Sequence, residues 1–336
     1  TGVTIANYSS LRMGSNGDTS FRRPHFVEFL DGKDSMVRNE NDLVQEFSGY
    51  SQANVSQKFL YKPDSVFDIK AAFFFAFTSP IPRYDRLSQY SGSDLRYAEW
   101  NYGPQKWLMS YVTANWKKST QYFDRLSLTG AVQKVLESRI TRDFGDSLRT
   151  TRTEDLKVYS FNLDADKSIG EKTAVFYGAE WLYNDLSSSA ERFHIFDFIT
   201  DQETTTRYPD GSSWQAFAVY STFKHEWNDK WVSRAGIRWN QINYFAPFRE
   251  GLAVTFNSIS RTLSGLNGSI GLNYHPDKKT IARLSVATGF RAPNIDDIGK
   301  IFDSQPGKIT VPNEDLNSEN IYSIDLSYER KPNHRS

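Results

Sequence analysis

The chain contains no cysteine among its 336 residues. Disulfide staples, thiolate nucleophiles and cysteine-ligated metal centres are therefore excluded. It also lacks an excess of either charge, since 40 Lys and Arg balance 40 Asp and Glu. A nucleic-acid-binding surface normally carries a basic surplus, so no nucleic-acid partner is expected. Long hydrophobic runs are missing too, and no stretch approaches the roughly 18 apolar residues of a membrane-crossing helix. That absence excludes helices only, because a barrel strand shows lipid just every second side chain. No GxSxG elbow, P-loop, HExxH or EF-hand loop occurs. The five histidines, His25, His194, His225, His275 and His334, are scattered one to a segment. No catalytic residue, metal site or cofactor is expected on these grounds. The opening run from Thr1 to Ile5 has neither the charged nor the apolar region of a signal peptide. The last strand-like run ends near Tyr328, so both ends read as cut from a longer chain.

Aromatic residues are plentiful, with 18 Tyr, 24 Phe and 8 Trp, a supply that suits interfacial girdles. They fall within segments of about ten residues that alternate apolar and polar side chains. From Gly265 to Tyr274, Leu266, Ile270, Leu272 and Tyr274 share one face, while Asn267, Ser269 and Asn273 share the other. A His-Pro-Asp-Lys-Lys turn at 275–279 leads into Ala282, Leu284, Val286 and Phe290, opposed by Arg283, Ser285 and Arg291. The same hairpin grammar joins Ala53–Tyr61 to Ile69–Phe77, and Tyr159–Ala165 to Val175–Tyr183. It also joins Phe217–Phe223 to Trp231–Trp239 and, less cleanly, Trp107–Trp116 to Leu126–Leu136. With one run at each end the count is about twelve strands.

Long polar stretches at 12–46, 79–106, 143–153, 190–213, 246–262 and 291–320 separate the hairpins. Short and long connections thus alternate, as they do when turns lie on one side of a bilayer and loops on the other. One face of the strands carries Lys58, Lys70, Glu180, Arg234, Arg238, Asn267, Asn273 and Arg283, which suits a wet lumen. The other is almost wholly Leu, Ile, Val, Phe, Ala, Tyr and Trp, with Tyr61, Trp116, Trp181, Tyr183, Trp227, Trp231, Trp239 and Tyr274 near strand ends. A half-buried sheet in a soluble protein explains the alternation equally well, but not the ordered connections. The expected fold class is all-β: a partial antiparallel transmembrane β-barrel occupying residues 1–336, with no second domain.

The run Thr288-Gly289-Phe290-Arg291-Ala292-Pro293-Asn294-Ile295-Asp296-Asp297 precedes Val311-Pro312-Asn313-Glu314-Asp315-Leu316-Asn317-Ser318-Glu319. Together these resemble the "FRAP" and "NPDLKPE" boxes of TonB-dependent outer-membrane receptors, through Phe290, Arg291, Ala292, Pro293, Pro312, Asn313 and Leu316. Segments 81–87, 95–100, 102–105 and 207–212 look like the branch found in Bacteroidota-type bacteria. The resemblance implies a barrel of about 22 strands around a plug. External loops would capture a scarce small nutrient: a ferric siderophore foremost, or haem or cobalamin. Periplasmic TonB would supply the energy through the plug, and lipid with lipopolysaccharide would surround the wall. This sequence departs from the family pattern in having no plug before residue 1 and roughly half the strands. In the haem-transporting branch a histidine between the two boxes binds iron. None of the five lies between Pro293 and Asn313, which disfavours haem.

Ligand contact is expected from the aromatic loop residues Tyr84, Tyr90, Tyr97, Trp100 and Tyr102, from His194 and from Arg291. Each has a plainer reading: loop packing for the aromatics, solvation for His194, and a strand-end charge network for Arg291 with Asp296 and Asp297. Arg234, Arg238 and Arg283 would attract anions or simply pair with lumen carboxylates. A passive porin, an adhesin-like barrel and an outer-membrane hydrolase stand as alternatives.

Overall fold

The computed structural model describes residues 1–202, 206–248, 257–299, 302–305, 308–310, 312–313 and 315–331. Twelve strands build one wall. They are β1 (Gly2–Tyr8), β2 (Tyr50–Tyr61), β3 (Phe67–Thr78), β4 (Lys106–Trp116), β5 (Arg125–Asp143) and β6 (Leu148–Ile169), followed by β7 (Thr173–His194), β8 (Ser212–Glu226), β9 (Trp231–Pro247), β10 (Ser258–Asp277), β11 (Thr280–Arg291) and β12 (Glu319–Arg330). Each pairs antiparallel with the next in sequence, so the sheet is an uninterrupted meander. Among the described residues, β1 and β12 pair on one side only.

The turns at 62–66, 117–124, 170–172, 227–230 and 278–279 all fall at one end of the wall. The connections at 9–49, 79–105, 144–147, 195–211, 248–257 and 292–318 fall at the other. In a transmembrane barrel the short-turn end is the one expected to face the periplasm.

Three expected loops are shorter than the sequence suggests. Residues 143–153 are not a loop: β5 and β6 continue as a ladder to a turn at 144–147. The cause lies beyond the membrane, where both faces of the hairpin carry polar side chains and no apolar face marks the strand. The β-branched Thr150, Thr151 and Thr153 still favour extended backbone there. Likewise β7 runs on to His194, and Thr200–Gln202 pairs back onto it. The loop expected at 246–262 gives way to strand at both ends, its residues 249–256 lying outside the described set.

Cross-strand register fixes the two faces. Direct partners Phe59, Ala71, Val112, Gly130, Phe161, Trp181 and Phe217 form one circumferential row. The adjacent row on the opposite face reads Thr113, Thr129, Asn162, Glu180, Ala218 and Asn240. Every residue read as lumen-side belongs to this second, polar face.

The apolar face is apolar only over a bounded height. On β6, Tyr159, Phe161, Leu163 and Ala165 lie between Lys157 and Lys167 on the same side. That is the nine to eleven residues, tilted about 45°, needed to cross hydrocarbon. Lys167 is held in the periplasmic turn by Asp124 at 2.8 Å. Above the band, Lys157 faces Asp185 at 3.9 Å and Lys134 binds Asp155 at 2.9 Å. These outward charges lie outside the expected apolar band: the wall continues past the bilayer.

Aromatic rings mark both boundaries. Near the periplasm, Trp231 stacks on Tyr274 with centroids 4.3 Å apart, and Trp116 meets Phe123 edge-on. Toward the outside, Tyr183 stacks on Tyr159, and one row further in Trp181 and Phe217 continue the aromatic surface.

Candidate ligand-binding region at the outer end of the lumen

The connection 292–318 folds inward over the rim, and the residues that resemble the two boxes explain why. Arg291, at the end of β11, donates to Glu319 of β12 at 2.8 Å and to Asp297 at 2.7 Å. Asn294 caps the single helical turn Ile295–Ile298: its side chain accepts from the Asp297 N–H, while the Asp297 carboxylate accepts from its own N–H. Pro293 and Ile298 are wholly buried. Ile295, Ile298 and Leu316 pack with Trp214, Tyr244, Ala246, Ile259 and Leu263, an apolar patch on the lumen-side outer reaches of β8, β9 and β10. Pro312 is buried, and Asn313 accepts from the Asp315 N–H at 2.9 Å in a local turn. Phe290 lies over Gly265, where an added Cβ would meet the ring at 2.5 Å. Gly265→Val should therefore cost about 1–3 kcal/mol through overpacking, read as a lower unfolding temperature. An unchanged temperature would mean the ring simply swings aside.

Beneath the returning loop lies a cavity of about 540 Å³ on the lumen face of β5 to β8. Leu156, Leu182, Leu186, Trp214 and Ile295 give it apolar walls; Glu137, Glu154, Arg207 and Asp296 give it polar ones. The Tyr208 hydroxyl donates to Asp296 at 2.7 Å, joining the 195–211 connection to the returning loop. Glu154 is only 6% exposed, and neither of its carboxylate oxygens has a hydrogen-bond partner among the described residues. The indole N–H of Trp214 and Nε of Arg207 are unpartnered as well. Burial pushes the Glu154 carboxyl above its ordinary range, and Glu137 adds to this, while Arg207, Arg139 and Arg152 oppose it.

A pH-dependent stability follows. A carboxyl whose folded-state pKa is raised loses stability as pH climbs through the ordinary carboxylate range toward that raised value. Glu154→Gln removes the ionisation. It should stabilise the protein at about pH 7.5, by about 1–3 kcal/mol, and lose that advantage near pH 4. Equal melting of the two proteins at both pH values would show that the Glu154 charge is already compensated.

The other candidate residues are dispersed. Trp100 and Tyr102 meet edge-on at 5.1 Å and are clasped by two guanidinium groups, Arg83 and Arg139, each within 5.3 Å of both rings. Arg83 is itself held by Asp85 and by the Tyr102 hydroxyl at 2.8 Å. Tyr90 bonds Nδ1 of His25 at 2.8 Å, and Arg96 lies over Tyr97. Tyr84 and Tyr90 keep exposed rings. His194 ends β7 with Nε2 at 3.2 Å from Asp201. The structure thus joins Trp100 to Tyr102 and Arg291 to Asp297, and leaves His194 apart from both.

Two of the lumen arginines have carboxylate partners, Arg238 with Glu180 at 3.2 Å and Arg283 with Glu329 at 3.4 Å. Among the described residues, no three His, Asp or Glu side chains gather to hold a metal. Sequence reading missed Glu154 and Trp214 as cavity residues. Both lie just past the expected loops 143–153 and 190–213 and outside the strands read from alternation, and a cavity roofed by a loop about 140 residues beyond Glu154 leaves no local signal.

A family model described as "TonB dependent receptor-like, beta-barrel" matches residues 32–334. Among solved structures, the copper transporter OprC is similar with a TM-score of 0.69 and 10% identity, over 98% of this chain and 51% of that one. The FrpB iron transporter (F3-3 variant) of Neisseria meningitidis gives 0.64 and 12%, over 98% and 47%. The ferric yersiniabactin uptake receptor FyuA of Yersinia pestis gives 0.57 and 14%, over 88% and 44%. At such identities the likeness is one of fold. The chain spans about half the length of these structures. No curated protein sequence matches it.

Proposed function

The chain belongs to the TonB dependent receptor-like β-barrel family, and on that premise we propose that it is part of an importer for a scarce nutrient. It is a multi-pass β-barrel wall of the Gram-negative outer membrane. Cargo binds at the outer loops and lumen, and passage draws on energy delivered by periplasmic TonB, with no covalent step. A ferric chelate is the foremost cargo class, ahead of haem and cobalamin. Segments 81–87, 95–100, 102–105 and 207–212 support placing it in the Bacteroidota-type branch. Lipopolysaccharide and lipid surround the wall. Tyr84, Tyr90, Tyr97, His194 and Arg291 are the rim residues assigned to cargo contact. Trp100 and Tyr102 hold that rim in shape.

The observation that supports this reading best is the inward return of connection 292–318, pinned by Ile295, Ile298 and Leu316 over a lumen-side cavity. A loop that narrows the pore serves selective capture better than free diffusion. The test is growth of a strain lacking the gene on single iron, haem or cobalamin sources, with and without TonB. Loss of uptake of one source in the deletion strain, mirrored by loss of TonB, is the expected result. Uptake that continues without TonB would favour a passive porin, and unchanged uptake of every source would overturn the importer.

A further inference from the structure

The importer reading leaves open what its cargo looks like, and the cavity roofed by the returning loop bears on that question. Its volume, about 540 Å³, lies within the 300–1,000 Å³ typical of small-molecule sites. Its walls are mainly apolar, with the Trp214 indole among them. Polar groups in such a site fix the orientation of a ligand. Here those groups are two oxygens of Glu154 and two N–H donors, from Trp214 and Arg207, all without a partner among the described residues. Structural polar groups at this depth are normally paired within the protein. These are not, although Arg207 stands nearby: its Nη1 lies 3.6 Å from Glu137 instead.

Resting on the importer reading, we infer that this cavity is a cargo-binding site for a small molecule with a flat apolar body and an amine or other hydrogen-bond-donating group that Glu154 receives. The Trp214 N–H then donates to an acceptor on the same body. An anionic group is disfavoured, because Glu154, Glu137 and Asp296 all line the cavity and Arg207 is the one cation among the described lining residues, with Arg139 and Arg152 acting from outside it. The site therefore selects neutral or cationic ligands, in contrast to the anion attraction expected of the lumen arginines, two of which are neutralised by Glu180 and Glu329.

The full receptor, purified from outer membranes in detergent, offers the test. Dansylcadaverine carries a flat apolar ring system and a protonated amine; dansyl-6-aminohexanoate carries a similar body with a carboxylate. Both brighten on entering an apolar site. Dansylcadaverine should bind at least about tenfold more tightly than the carboxylate probe, the size of one charge-assisted hydrogen bond. Glu154→Leu should abolish that preference while the barrel keeps its heat-modifiable migration on gels, and Glu154→Gln should weaken it. Equal binding of the two probes, no binding, or a preference unchanged in Glu154→Leu would overturn the assignment. TonB-dependent uptake measured in cells separates the two readings. Uptake without probe preference removes the cavity assignment alone, and probe preference without TonB-dependent uptake removes the importer alone.

Discussion

Replacing Arg142 by methionine should release the outer hairpin His25–Arg38 from the tip of β5 and β6, increasing its opening by about two to three and a half orders of magnitude. Arg142 is 6% exposed and sits at the centre of a four-charge network. Its two terminal nitrogens reach Asp34 at 2.7 and 2.8 Å, and its Nε reaches Glu99 at 3.0 Å. Glu99 also receives two bonds of 2.8 Å from Arg149. Asp34, whose side chain is 1% exposed, accepts a further 2.8 Å bond from the Gly145 N–H. Two acids and two bases thus cancel around the buried Arg142–Asp34 pair, with Glu99 and Arg149 more open, in a network that ties three outer connections together. Removing one partner of such a set strands the others and costs about 3–5 kcal/mol, the basis for the expected change in opening.

Because the hairpin is a peripheral element, the loss should be local rather than global. Hydrogen exchange of residues 25–38 and protease nicking at its Asp31-Gly32 turn are the measurements, with gel migration of the barrel unchanged. Arg142→Met with Asp34→Leu should recover part of the protection, since a paired charge replaced by apolar groups no longer leaves an orphan. Exchange within threefold of wild type in the single variant would mean that the network is solvated and adds little.

That network shows where sequence reading stops. The wall strands were legible because a bilayer imposes a period of two with a nearly constant span, so Leu266 to Tyr274 or Tyr159 to Ala165 announce both their direction and their face. The lumen positions of Lys58, Glu180, Arg238 and Asn273 followed from the same parity. Legibility ended at the membrane boundary. Beyond Lys157 and Asp185 both faces carry polar side chains, alternation carries no information, and an 11-residue loop was expected at 143–153 where β5 and β6 simply continue. Pairings there join Asp34 to Arg142 across 108 residues, and no local pattern encodes such a distance. The boxes around Arg291 and Leu316 were visible as motifs. Their physical role, a charged strand end and an apolar anchor that turn the loop inward, required the packing of Ile298 against Tyr244 and Ile259. The aromatic loop was visible as composition, whereas its two guanidinium clasps were not.

Phe161→Arg should cut the membrane-inserted fraction of the receptor sharply, and Asn162→Arg should not. The two positions are neighbours on β6, so strand propensity, depth and chain context are matched, and only the face differs. Phe161 has Trp181 and Gly130 as cross-strand partners on the outer row, midway between Lys157 and Lys167. An arginine there must carry its charge into hydrocarbon, at about 2–4 kcal/mol near the midplane. Asn162 has Glu180 as its partner on the lumen row. An arginine there finds water and a carboxylate that already accepts one guanidinium, from Arg238. Heat-modifiable migration of outer-membrane fractions reads the outcome: a fall in the folded band for Phe161→Arg alone. Equal insertion of the two variants, or loss of Asn162→Arg instead, would invert the faces of the wall. Leu128→Arg and Thr129→Arg form a second matched pair on β5, Thr129 in the row of Asn162 and Leu128 in the outer row of Leu163. Concordance between the pairs separates a property of the whole surface from the accident of one site.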